Sequence, residues 1–142
     1  MRRVVLTVLA LVLLVSAGCG GEVTVVVSTG DGTLVVTTAS VPSISLAQLG
    51  QDTANRTVFG NIDFYTPGSD IGSMTITVTD SRGAVVSRSV SDLAAYSGSS
   101  SGSIQFFIDY ARFLPGNYTF TIFVANRAGY LSNPVYGSFW VP

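Results

Sequence analysis

The strongest constraint on this chain is a two-residue alternation that returns in run after run. Residues 73–79 read SMTITVT, with Met74, Ile76 and Val78 on one side and Thr75, Thr77 and Thr79 on the other. Residues 56–65 (RTVFGNIDFY) set Val58, Ile62 and Phe64 against Asn61 and Asp63. Residues 117–125 (NYTFTIFVA) gather Tyr118, Phe120, Ile122 and Val124 on one side. Side chains on a strand point to opposite faces in turn, so such runs are strands with one face in a core and the other in water. Further runs lie at 43–47, 84–90, 103–108 and 134–141. Turn-forming residues separate them, among them Asp80-Ser81-Arg82-Gly83 and a Ser/Gly-rich stretch before residue 103. No window carries a helical period beyond one turn at residues 92–96.

These runs predict an all-β domain over residues 41–142, an immunoglobulin-like antiparallel β-sandwich of about seven strands. Several motifs resemble bacterial Ig-like and fibronectin-III-like domains. Leu114-Pro115-Gly116-Asn117-Tyr118 resembles the entry to their penultimate strand. Residues 126–133, from Asn126 through Gly129 to Ser132-Asn133, resemble the turn after it. Asn126 stands where Asp is usual, and Tyr130 where Asn is usual. The resemblance implies that Tyr118 is a tyrosine corner, with its ring in the core and its hydroxyl bonded to upstream backbone.

The start of the chain has a different pattern. Arg2 and Arg3 precede a twelve-residue run at 4–15, apolar except for Thr7, and Ser16-Ala17-Gly18 follow. This is the layout of a secretory signal peptide over residues 1–18. Twelve helical residues rise about 18 Å, short of a bilayer core of about 30 Å. Val15-Ser16-Ala17-Gly18-Cys19 resembles a bacterial lipobox, with Ser16 in place of the preferred Leu. The resemblance implies cleavage before Cys19, lipid on its thiol, and anchoring to a membrane of the bacterial cell envelope. Gly20 follows the cysteine where Asp would resemble an inner-membrane retention signal, which points to the outer membrane in a Gram-negative cell. Two or three acyl chains anchor firmly where one does not.

Residues 19–40 then form a lipid-anchored tether or β-hairpin. Their β-rich runs at 23–27 (VTVVV) and 33–37 (TLVVT) flank a turn signal at Asp31-Gly32. An uncharged run such as VTVVV also suits pairing with another molecule's sheet edge.

Composition narrows the function. The chain has no His and no Lys, and its only cysteine is Cys19. Ser-His-Asp triads, Ser-Lys dyads and thiol nucleophiles are therefore excluded once lipid occupies Cys19. Only paired carboxylates remain as a catalytic route. The acids available to it are Asp52, Asp63, Asp70, Asp80, Asp92 and Asp109, and no motif pairs them. After removal of residues 1–18, five Arg face eight acids, a side-chain charge of −3, so nucleic acid is excluded as a partner.

No cofactor signature or metal-ligand cluster is present. One loop, residues 63–70, resembles a calcium-binding loop of some Ig-like domains through Asp63 and Asp70, but Thr66 replaces its central acid. Phe59, Tyr65, Phe123, Tyr130, Tyr136 and Trp140 are the candidates for an exposed aromatic contact surface. The expected function is a non-catalytic envelope lipoprotein whose Ig-like domain contacts a protein or a glycan. The alternatives are a structural subunit assembled by strand addition through residues 23–37 and, third, a hydrolase using two carboxylates.

Overall fold

A computed structural model describes residues 23–28 and 34–142, with side chains for 40–142. Cys19 and the signal segment lie outside the described residues. Strands β1 (Val23–Ser28) and β2 (Leu34–Ala39) pair antiparallel as a two-stranded sheet. Seven strands follow: β3 (Ser43–Asp52), β4 (Thr57–Tyr65), β5 (Ile71–Asp80), β6 (Val85–Asp92), β7 (Ser101–Asp109), β8 (Gly116–Asn126) and β9 (Val135–Val141). They form two antiparallel sheets, ordered β3-β4-β7 and β6-β5-β8-β9. This is the expected Ig-like β-sandwich. Its fourth strand stays beside β5 instead of crossing to β7, because the tight Asp80–Ala84 turn returns the chain at once. Asp80 Oδ1 accepts from the backbone N–H groups of Arg82 and Ala84, both at 2.9 Å.

The alternation read from the sequence sets the core. Val58, Ile62 and Phe64 of β4 point inward, as do Met74, Ile76 and Val78 of β5 and Tyr118, Phe120, Ile122 and Val124 of β8. Five of the seven strands extend past the apolar runs, while β4 and β9 each begin one residue inside theirs. The largest extension is β3, which passes through a bulge between Leu46 and Gln48 and continues to Asp52. The run at 84–90 differs from the half-buried strand expected of it. No residue of β6 is buried. The four-stranded sheet has one strand more than its partner, and β6 is the edge strand with no opposite neighbour.

Phe residues face Gly across neighbouring strands at four register positions: Phe59–Gly50, Phe64–Gly102, Phe106–Gly60 and Phe120–Gly137. In each pair the ring lies over the glycine. A Cβ on Gly60 would stand 2.7 Å from Phe106 Cζ, and one on Gly137 would run into the Phe120 ring. Phe64, Phe106 and Phe120 lie inside the sandwich, where Phe106 and Phe120 meet with ring centroids 5.6 Å apart, while the Phe59–Gly50 pair lies on the outer face.

Backbone groups at the sandwich ends are satisfied by side chains, as burial requires. Tyr118 donates its hydroxyl to the carbonyl of Leu114 at 2.7 Å, which makes it the tyrosine corner the resemblance implied. Asn126, nine-tenths buried, accepts from the N–H of Tyr130 and donates Nδ2 to the carbonyl of Ser40. An aspartate could accept the first bond but not donate the second, which gives the amide a physical reason at that place. Asn133 accepts from Ile44 N and donates to Ile44 O, so it pairs with the edge of β3 as a strand would.

Candidate functional site

The aspartates available for a catalytic pair are mostly spent on turns. Asp52 accepts from Asn55 N at 3.0 Å and Asn55 Nδ2 at 2.6 Å. Asp92 accepts from Ala94 N and so starts the single 3₁₀ turn Ala94–Tyr96. Asp109 accepts from Ala111 N, and Asp80 holds the β5–β6 turn. Asp52 and Asp109 share a register row through Thr57, two strand spacings or about 10 Å apart at the backbone. The backbone and side-chain bonds from Asn55 hold the Asp52 carboxyl below the ordinary carboxylate value. That is the opposite of what a general acid needs.

The loop carrying Asp63 and Asp70 closes on itself. Thr66 is fully buried and donates its hydroxyl to Asp70 Oδ1 at 2.9 Å. Its N–H donates to the carbonyl of Ser100, and Gly68 N donates to Ser40 Oγ. Asp63 instead faces outward from β4. Among the described residues, no three His, Cys, Asp or Glu side chains come together.

The candidate site is the outer face of β3-β4-β7, which register organises into rows. Gly50, Phe59 and Phe107 form one row; Gln48, Asn61 and Gln105 form the next; Ser45, Asp63 and Ser103 the third. Beyond them stand Ser43, Tyr65 and Ser101. Phe107 is 65% exposed and Tyr65 48%, while Phe59 leans over Gly50 and is 39% exposed. Among the described residues, the amides of Gln48, Asn61 and Gln105 have no side-chain or backbone partner. Each brings two donors and an acceptor to the surface beside two aromatic rings. No basic residue occupies any of these outward positions, and Asp63 is the one acid near their centre.

The other aromatics named from sequence fall elsewhere. Tyr136 and Trp140 stand on the outer face of β9, 67% and 55% exposed. Tyr130 lies in the loop that Asn126 closes, and Phe123 is half-buried on β8. Phe107 escaped the sequence reading. Its neighbour Phe106 is equally aromatic, and only the phase of Ile104, Phe106 and Ile108 pointing inward sends Phe107 out. At one end of the sandwich, Arg56, Tyr110, Phe113, Pro115, Val141 and Pro142 line a pocket of about 240 Å³.

No protein-family profile matches the chain, and no curated protein does. The likeness is to solved structures. OgpA from Akkermansia muciniphila aligns with a TM-score of 0.52 at 11% identity, over 70% of this chain and 29% of that one. Catalytically inactive OgpA in complex with an O-glycopeptide substrate aligns with the same values. Fibronectin(III)-like modules of Clostridium thermocellum CbhA align at a TM-score of 0.45 and 14% identity, over 84% of this chain and 60% of theirs. The chain thus spans under a third of OgpA. At such identities the likeness to OgpA shows the fold alone, an Ig-like β-sandwich.

Proposed function

We propose that the chain is a non-catalytic module of the bacterial cell envelope, held to the membrane by lipid on Cys19. Its sandwich contacts a protein or glycan through the outer face of β3-β4-β7. The carrying observation is the row of unengaged amides beside the exposed Phe107 and Phe59. Surface strands mostly carry scattered apolar residues, and these need no explanation. Adjacent aromatics bordered by a line of free donors and acceptors are a different case, because they join contact area to hydrogen-bond capacity.

In-cell crosslinking from this face, followed by identification of the adduct, tests the reading. Recovery of a specific partner that Phe107→Ala abolishes is the expected result. Palmitate labelling that disappears in Cys19→Ala is expected of the anchor, and labelling that persists would refute it.

A second reading has its own support. Among the described residues, strands β1 and β2 pair only with each other, and an isolated two-stranded sheet is marginal in water. The β6 edge is exposed on both faces and open to pairing. Assembly of copies through residues 23–37 is the function these two features support. Oligomers that vanish when residues 23–37 are deleted would favour it over the first reading.

A further inference from the structure

We propose that the ligand of the β3-β4-β7 face is an uncharged glycan, with a sugar ring on Phe107 and its hydroxyls held by the amide row. This rests on the reading of that face as the contact surface. Three features lead to it.

The first is shape. Phe107 stands 65% exposed on the outer face of the sheet, and its cross-strand partner Phe59 has folded down over Gly50 and leaves its ring open. Protein hot spots are side chains that fill well-packed pockets. An exposed ring on an open sheet face suits a partner that is itself a plate. A sugar ring is such a plate, with C–H groups on its faces and hydroxyls at its rim.

The second is the spacing of polar groups. Gln105 lies two residues from Phe107 on β7, about 7 Å along the strand and on the same face. Asn61 and Gln48 continue that row across β4 and β3. A primary amide both donates and accepts, which suits the paired hydroxyls of a sugar rim. Tyr65 stands six residues from Phe59 on β4, about 20 Å away, with the amide row and the Ser45–Asp63–Ser103 row between them. The face is therefore long enough for several linked rings lying along the strands.

The third is charge. The outward positions of the three strands hold Asp63 near the middle and Asp52 and Asp109 at one end, with no Arg among them. Like charge juxtaposed across a contact discriminates against a partner, so sulfated or uronic polymers and acidic proteins are disfavoured. Neutral glycans meet no such barrier.

The test uses the full lipidated chain in detergent micelles. Affinity electrophoresis is run against neutral polysaccharides (a β-glucan, a mannan, a xylan and a galactan) and against two polyanions, polygalacturonate and heparin. Retardation by at least one neutral polymer is expected. That retardation should weaken by about tenfold in Phe107→Ala and in Gln105→Ala, and stay unchanged in Trp140→Ala on the opposite sheet. Retention by the polyanions alone, lost in Phe107→Ala, would overturn the neutral-glycan assignment and leave the contact face standing. Retention by no polymer, or retention that Phe107→Ala leaves intact, would also overturn it. A photo-crosslinker at position 107 then reads the face independently, because a specific protein adduct there keeps the face and replaces its ligand.

Discussion

The two outer faces of the sandwich are built by one rule and end in different chemical states. On β3-β4-β7 the outward residues include Phe59, Phe107, Gln48, Asn61 and Gln105, and the amides keep their hydrogen-bonding capacity. On β6-β5-β8-β9 the outward residues of the two central strands include Thr75, Thr77 and Thr79 on β5 and Thr119, Thr121 and Phe123 on β8, with Arg88 and Val90 beside them on β6. Thr79 and Thr119 bond to each other at 2.7 Å. Trp140 and Tyr136 stand at the β9 edge of this sheet, Tyr136 across from Thr121 and Trp140 across from a single exposed amide, Asn117. Short β-branched hydroxyl side chains suit a pleated surface and engage one another there. Longer amides reach past the sheet. Exposed aromatics occur on both faces, so the difference lies in the polar groups beside them: a continuous row of three amides beside Phe107, and one amide, Asn117, across from Trp140.

That contrast depends on a middle layer common to both sheets. Phe120→Ala removes a fully buried ring stacked over Gly137 and is expected to cost about 3–5 kcal/mol in chemical denaturation. It should loosen both faces together. Adding a methyl is gentler but sorts the glycines by side. Gly137→Ala drives a Cβ into the buried Phe120 ring and is expected to destabilise by about 1–3 kcal/mol. Gly50→Ala meets only the half-exposed Phe59 ring, at 2.5 Å from Cζ, and that ring can swing into solvent. Its thermal midpoint should move little, within about 0.5 kcal/mol, while ligand capture by the face should change. Equal destabilisation by the two substitutions would break the distinction between inner and outer Phe–Gly pairs.

Much of this architecture was legible in the sequence because alternation is a local signal. Each inward set on β4, β5 and β8 follows from counting by two. Tyr118 and the 126–133 turn were legible through their resemblance to Ig-like motifs, and the bonds of Asn126, Ser132 and Asn133 give that motif its physical content. The candidate face was not legible. It depends on register between strands up to about 50 residues apart, which places Asn61 between Gln48 and Gln105. No local pattern encodes that row. The bulge between Leu46 and Gln48 shifts β3 by one residue, and without it Gln48 would point the other way. The exposure of β6 escaped for the same reason, because it follows from the strand count of the opposite sheet.

Smaller effects sharpen the comparison further. Thr79→Val removes one hydroxyl of an exposed pair and is expected to cost roughly 0.5–1 kcal/mol. A double-mutant cycle with Thr119→Val should show the coupling, and its absence would mean the two hydroxyls bond to water instead. The smallest expected effect is at Asp52, whose folded value is lowered by its bonds from Asn55. Its stabilisation is present above the ordinary carboxylate value of 3.8 and is lost as pH falls through the lower folded value. Asp52→Asn should therefore flatten the acid limb of the stability curve and leave neutral-pH ligand capture unchanged.

The most direct test compares the faces in the intact cell. A photo-crosslinking amino acid is placed at position 107 in one variant and at position 140 in another. Both sites are more than half exposed, so access does not favour either. A discrete adduct is expected from position 107 and none from position 140. An adduct from position 140 alone, or equal capture at both sites, would contradict the assignment of the β3-β4-β7 face as the contact surface.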